Sequence, residues 1–290
     1  MSAFADRLAE AVRRDGPLCV GIDPRFEMLP ASYRKFPPGV AIEAFGLKVL
    51  ELVRPFAGVV KPQAAFFELL GPEGMSAMQS VLWRAKELGF VTILDAKRGD
   101  IASTATAYAE AAFGDTIWNA DALTVNPYLG ADAVEPFIKA ARTATQKRGL
   151  FVLVRTSNPG GGLFQNALAN GVPLYQRVAT EVGEWNEGAI GECGLGDVGA
   201  VVGATHPKEL AELRSAMPRV WFLVPGYGAQ GGTAEDVRAG FLPNGLGAVV
   251  NSSRGVVFPF QPGDGDWEAQ IVDAAKTAQT ELRSVSENSV

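Results

Sequence analysis

At 290 residues the chain is long for an ordinary single domain but normal for one α/β barrel, so length alone leaves one large domain or two small ones open, and its 47% of hydrophobic residues is enough for a large core. With 26 Lys+Arg against 32 Asp+Glu the net charge is −6, which argues against general attraction to nucleic acid or an anionic membrane, so any anionic ligand must be held by a local group of cations. Two cysteines, Cys19 and Cys193, have neither metal-ligand spacing nor a disulfide framework, and a reducing cytoplasm is the expected setting.

The opening MSAFADRLAEAVRRDG is amphipathic and charge-rich, without an apolar leader core. No later stretch approaches the roughly 18 uninterrupted apolar residues of a membrane span. Eight short apolar runs then recur: LCVGI (18–22), AGVVK (57–61), FVTIL (90–94), ALTVN (122–126), LFVLV (150–154), VGAVV (198–202), VWFLV (220–224) and GAVVN (247–251). They lack polar alternation, as parallel strands covered on both faces do. Helical patterns lie between them, at 41–56, 74–89, 103–114 and 207–217. Repeated strand-then-helix order without a composition break predicts one α/β domain over 1–290, a closed (β/α)8 barrel, with a doubly wound open sheet as the structural alternative. The interval from Arg155 to Asp197 breaks the even spacing. Its TSNPGGGLFQNALANG predicts a lid insertion around 156–172, or else a plain surface excursion. The final ELRSVSENSV reads as a frayed tail.

Barrels of this kind carry their chemistry at the C-terminal ends of the strands, so the residues after each run are the test. Strand one is followed by Asp23, strand two ends on Lys61, and strand three leads into Asp95, Lys97 and Asp100. Asn126 follows strand four; Thr156, Ser157 and Asn158 follow strand five; Thr205 and His206 follow strand six. On an extended strand Asp95 and Lys97 share one side with α-carbons about 6.6 Å apart, and Arg98 faces elsewhere. Asp100 falls where the next helix begins, with Thr104 one turn later, and helix capping is its bland alternative. Lys61, Asp95, Lys97 and Asp100 together form a network of alternating sign that offsets its own desolvation, unless it is a purely structural ion cluster. After strand seven, PGYGAQGGT offers backbone N–H groups and the Gln230 amide to an anion. After strand eight, NSSRG adds hydroxyls and Arg254, and phosphate commonly binds between these two loops. A single histidine, His206, leaves no triad and no His-based metal site.

On LDAKRGDIAST, VVK before Pro62, TSNPG, VPGYGAQGGT and NSSRG, the chain resembles the orotidine 5′-phosphate decarboxylases, in particular their longer-chain bacterial group, from about Cys19 to Gly255. The resemblance implies a homodimeric barrel that converts orotidine 5′-phosphate to uridine 5′-phosphate and carbon dioxide, the last step of de novo pyrimidine synthesis, with no metal or cofactor. By the same resemblance Lys97 stabilises the developing carbanion and protonates it, and Asp95 lies beside the departing carboxylate. Lys61 and Asp100 hold these two, and Asp100 and Thr104 reach the neighbouring subunit's site. Asp23 binds ribose hydroxyls, Ser157 contacts the pyrimidine, and Gln230 and Arg254 grip the phosphate. One departure is Ala102, where many compact members carry proline. Metal-dependent sugar-phosphate enzymes of the same superfamily share D-x-K-x-x-D, but Lys61 puts an ammonium where they hold Mg²⁺. A non-catalytic nucleotide-phosphate sensor would need no such row of charges at the rim.

Overall fold

A computed structural model describes residues 3–114, 117–228 and 231–288. Eight parallel strands close into a barrel: β1 (Leu18–Ile22), β2 (Val59–Pro62), β3 (Val91–Arg98), β4 (Ala122–Val125), β5 (Gly149–Arg155), β6 (Val198–Val202), β7 (Phe222–Val224) and β8 (Ala248–Ser252). Each strand pairs with the next, and β8 closes onto β1 through Leu18 and Val250. This is the predicted (β/α)8 barrel, and the open-sheet alternative falls with the β8 to β1 pairing.

Burial of the strands on both faces explains their unbroken apolar runs. Outward residues such as Val20, Val60, Leu123 and Val250 pack under the helices. Cys19, Val59, Ile93, Phe151 and Val249 fill the interior with Trp221. Helix α1 (Phe4–Asp15) has Phe4, Leu8 and Val12 one turn apart, and this stripe plugs the N-terminal end of the barrel. Phe4 meets Phe151 edge-on at 6.3 Å between ring centroids. Beside this plug lies a closed ion cluster. Asp121 accepts from Arg148 at 2.8 Å and Arg7 at 3.0 Å, and its other oxygen accepts from the Thr92 backbone N–H at 3.0 Å.

Two connections after strand C-termini bear on the barrel rim. Helix α2 (Ala102–Phe113) follows β3, one residue ahead of the predicted start. The segment after β5 forms a 3-10 turn at Pro159–Gly161, a one-turn helix at Gly162–Gln165 and a hairpin of Leu168–Ala169 with Val172–Pro173. The C-terminus corrects the expectation of a frayed tail. Helix α3 (Trp267–Glu287) runs through most of it, because Ile271, Ala275, Ala278, Leu282 and Val285 continue one apolar stripe onto the barrel. The charged composition of ELRSVSENSV hid that period. Among the described residues no helix is long and apolar enough to cross a membrane, and Cys19 and Cys193 are free thiols.

Candidate active site

The C-terminal ends of the strands surround a cavity of about 540 Å³. At its floor Asp95 is buried between two ammonium groups: Lys61 Nζ lies 2.6 Å from Oδ2 and Lys97 Nζ 2.7 Å from Oδ1. Lys61 is 4% exposed, whereas the Lys97 side chain keeps 47% of its surface open. The two cations therefore differ in kind: one is sealed beneath the carboxylate, the other faces the opening.

Burial by itself opposes every charge in this group, and mutual attraction outweighs it. Desolvation drives the Lys61 ammonium down, but Asp95 and then Asp23 hold its pKa above the ordinary lysine value. Desolvation likewise pushes Asp95 up, and Lys61, followed by Lys97, brings it well below the usual carboxylate range. Within this triad Lys61 and Asp95 are thus both charged at neutral pH.

The expected extended geometry of Asp95 and Lys97 is corrected. Lys97 has φ +48°, and the pairing of β3 with β4 shifts register between Leu94 and Arg98. A left-handed lysine is a costly backbone state that its surroundings must hold. The holder is Thr124 on β4, 1% exposed, whose Oγ1 accepts from the backbone N–H groups of Ala96 at 3.0 Å and Lys97 at 2.9 Å. The same hydroxyl donates to Asp95 Oδ1 at 3.0 Å. One oxygen thereby uses both its lone pairs and its proton to shape the turn that carries Lys97. Gln63 adds a donor to Asp95 Oδ2 at 2.9 Å.

The remaining expectations separate. Asp23, Ser157 and Arg254 line the cavity. Asp23 Oδ1 is buried and has no hydrogen-bond partner among the described residues, so it presents an unused acceptor there. Arg254 starts a short helix at the β8 end, in the same wall as Asn251 and Ser253. The β1 backbone presses on that wall so closely that a Cβ at Gly21 would lie 1.9 Å from Ser253 Oγ. Gln230 lies outside the described residues. Asp100 does not join the triad of its own chain: its Oδ1 accepts from the Ile101 N–H at 2.8 Å, and neither it nor the exposed Thr104 lines the cavity. Asp100 is not the helix cap either, since Ile101 holds that position. Ala102 has φ +49°, which no proline ring permits, so the departure from proline is a backbone requirement here.

Thr124, Gln63 and Arg25 are cavity residues that sequence reasoning missed. Thr124 had a signal, a hydroxyl inside the apolar run ALTVN, whereas the expected strand-four residue, Asn126, only accepts from the Tyr128 N–H. Gln63 lies two beyond Lys61, on the same side of the strand.

Comparison with known proteins agrees with the barrel fold. The profile of the orotidine 5′-phosphate decarboxylase / HUMPS family matches residues 16–258. An orotidine 5′-phosphate decarboxylase of Rhodopirellula baltica is 49% identical over 271 residues, covering 89% of each chain. The enzyme of that name from Deinococcus radiodurans is 42% identical over 257 residues, covering 88% of this chain and 89% of its own. Among solved structures, a putative orotidine 5′-phosphate decarboxylase from Streptomyces avermitilis superposes with a TM-score of 0.84 at 37% identity, over 98% of this chain and 96% of its own.

Proposed function

The chain belongs to the orotidine 5′-phosphate decarboxylase / HUMPS family and catalyses decarboxylation of orotidine 5′-phosphate in pyrimidine biosynthesis, and we propose that Lys97, Asp95, Lys61 and Asp100 carry that reaction without metal or cofactor. Loss of carbon dioxide leaves the electrons of the broken C–C bond in an sp² orbital on C6, where no carbonyl is placed to delocalise them. A fixed cation at that point stabilises the charge as it develops. Lys97 is the ammonium that faces the cavity, and it passes one proton to C6, leaving a neutral amine that water reprotonates. Asp95 lies beside the departing carboxylate, and its repulsion eases as carbon dioxide leaves. Lys61 keeps Asp95 ionised in its buried place. The observation that carries this reading is Asp95 held between a sealed and an open lysine at 2.6 and 2.7 Å.

A divalent ion finds a poor donor set here. The position beside Asp95 is filled by two ammonium groups, and no group of three His, Cys, Asp or Glu stands together among the described residues. Asp23 binds the ribose hydroxyls through its unused acceptor, and Ser157 contacts the pyrimidine. Gln230 and Arg254 hold the phosphate, and its binding energy helps close the segment 156–172 over the substrate. Within that segment the Gln165 amide donates to Thr156 Oγ1 at 2.7 Å and accepts from the Thr156 N–H at 3.1 Å.

In this reading the enzyme is a cytoplasmic homodimer, and Asp100 and Thr104 complete the neighbouring subunit's site. Both stand outside their own cavity, next to exposed Ile101 (54%) and near exposed Tyr108 (39%), apolar surface suited to a partner. The test mixes two inactive proteins, Lys97→Ala and Asp100→Asn, after exhaustive chelation, and follows loss of orotidine 5′-phosphate absorbance. Each mixed dimer is expected to regain one intact site. Absence of activity after proven subunit exchange would return Asp100 to its own chain, and dependence on added Mg²⁺ would remove the metal-free reading.

A further inference from the structure

The loop after β7 reads Gly226, Tyr227, Gly228, Ala229, Gln230, Gly231, Gly232. Glycines at 226, 228 and 231 have φ of +102°, +74° and +93°, a backbone that few other residues adopt and that has little stiffness of its own. Among the described residues of the loop, main-chain bonds fasten it: the Gly228 N–H donates to the Gly232 carbonyl at 2.8 Å, and the Gly232 N–H to the Gly226 carbonyl at 3.1 Å. Tyr227 is the single aromatic side chain of the stretch. It lines the cavity, half-buried, and its hydroxyl leaves the loop to donate to Glu281 Oε2 on α3 at 2.6 Å. Burial, then the bond to Glu281 and its charge, hold the phenol above its ordinary pKa, so it stays a donor.

Helix α3 is a firm anchor. Leu282, next to Glu281, is fully buried, and Gln279 donates to the Asp15 carbonyl at 2.7 Å. The far side of the loop is fastened separately, where Thr233 and Asp236 form a reciprocal capping box at the start of the next short helix. The near side reaches α3 through the Tyr227 hydroxyl.

We propose that Glu281 is a positioning residue for phosphate binding: through the Tyr227 hydroxyl it holds the glycine-rich loop in the shape that receives the phosphate of the substrate. The inference rests on the reading that this loop and Arg254 bind phosphate. An interaction with a remote, non-reacting group acts only on substrates that carry that group. Orotidine, the substrate without its phosphate, is therefore the control that a merely structural role fails.

In full-length enzyme, Glu281→Ala should lower kcat/KM for orotidine 5′-phosphate about tenfold, equivalent to about 1.4 kcal/mol, and leave orotidine within about twofold. Tyr227→Phe should cause the same loss on the phosphorylated substrate, and the double variant should lose about tenfold again in total, not a hundredfold, because both remove one bond. Equal loss on both substrates, no loss on either, or a multiplied loss in the double variant would each overturn the strap. Arg254→Ala separates the underlying reading. A loss confined to the phosphorylated substrate upholds it whatever Glu281 does, whereas equal loss on both removes the phosphate site and the strap with it.

Discussion

Two buried carboxylates, one at each end of the barrel, are each held by two cations and a threonine. At the N-terminal end Asp121 is surrounded by Arg148, Arg7 and Thr92 beneath helix α1, and Arg148 is 1% exposed. At the C-terminal end Asp95 is surrounded by Lys61, Lys97, Gln63 and Thr124, but Lys97 opens onto a cavity of about 540 Å³. Burial and pairing alone therefore do not mark a catalytic group. The difference lies in one charge that is positioned by the protein and still free to meet a ligand, which is the condition for electrostatic stabilisation of a reacting atom.

The widest separation of the two ends is expected from Lys97→Ala. It should lower decarboxylation by on the order of 10⁴ or more, combining lost charge stabilisation with lost proton delivery. Its thermal unfolding should remain close to that of the parent. Turnover within a hundredfold of the parent would dissolve the contrast between the clusters.

Asp121→Ala is the mirror experiment. Leaving Arg148 buried beside no carboxylate should cost roughly 3–5 kcal/mol in denaturant unfolding, with kcat of the folded enzyme unchanged. A specific loss of kcat would mean the lower cluster communicates with the site. A smaller effect is expected from Thr124→Val, which keeps shape and deletes the hydroxyl under Lys97. It should lower kcat about ten- to a hundredfold, by misplacing one charge-stabilising group, with little change in binding of the product. Thr124→Ser should recover most of the loss, and failure of serine to do so would assign the effect to packing.

The finest probe is pH. Asp95 is held below, and Lys61 above, their ordinary values. The stability from Asp95 is present above the unfolded carboxylate pKa and lost only as pH falls through its lowered folded value. That from Lys61 is present below the unfolded lysine pKa and lost only as pH rises through its raised folded value. The parent's kcat/KM should thus be flat, as far as this pair is concerned, across the whole neutral range. Lys61→Met removes the strongest attraction on Asp95 and leaves its burial, so the acid limb of the profile should move to higher pH. An unmoved limb would show that Lys97 alone keeps Asp95 ionised.

Much of the barrel was legible because parallel strands buried on both faces must be apolar throughout, and the eight runs coincide with the eight strands to within a few residues. The positions of Lys61, Asp95 and Lys97 were legible for a related reason: charges at the ends of buried strands are costly unless they are paired, so charges of opposite sign there were expected to meet. The C-terminal tail was misread because its surface charges conceal the stripe of Leu282 and Val285. Asp100 was read as part of its own chain's network from proximity in sequence, but the turn after Lys97 carries it outside the cavity.

The order of residues along the chain by itself determined that two lysines and an aspartate would meet at one rim, since strand period and barrel closure leave those side chains no other common place. How they meet was decided by the tertiary structure. The left-handed turn at Lys97 exists because a hydroxyl from the adjacent strand, Thr124, accepts two backbone N–H groups and donates to Asp95. Such a conformation is unfavourable in any isolated segment, and only a partner brought from 27 residues away makes it the stable one.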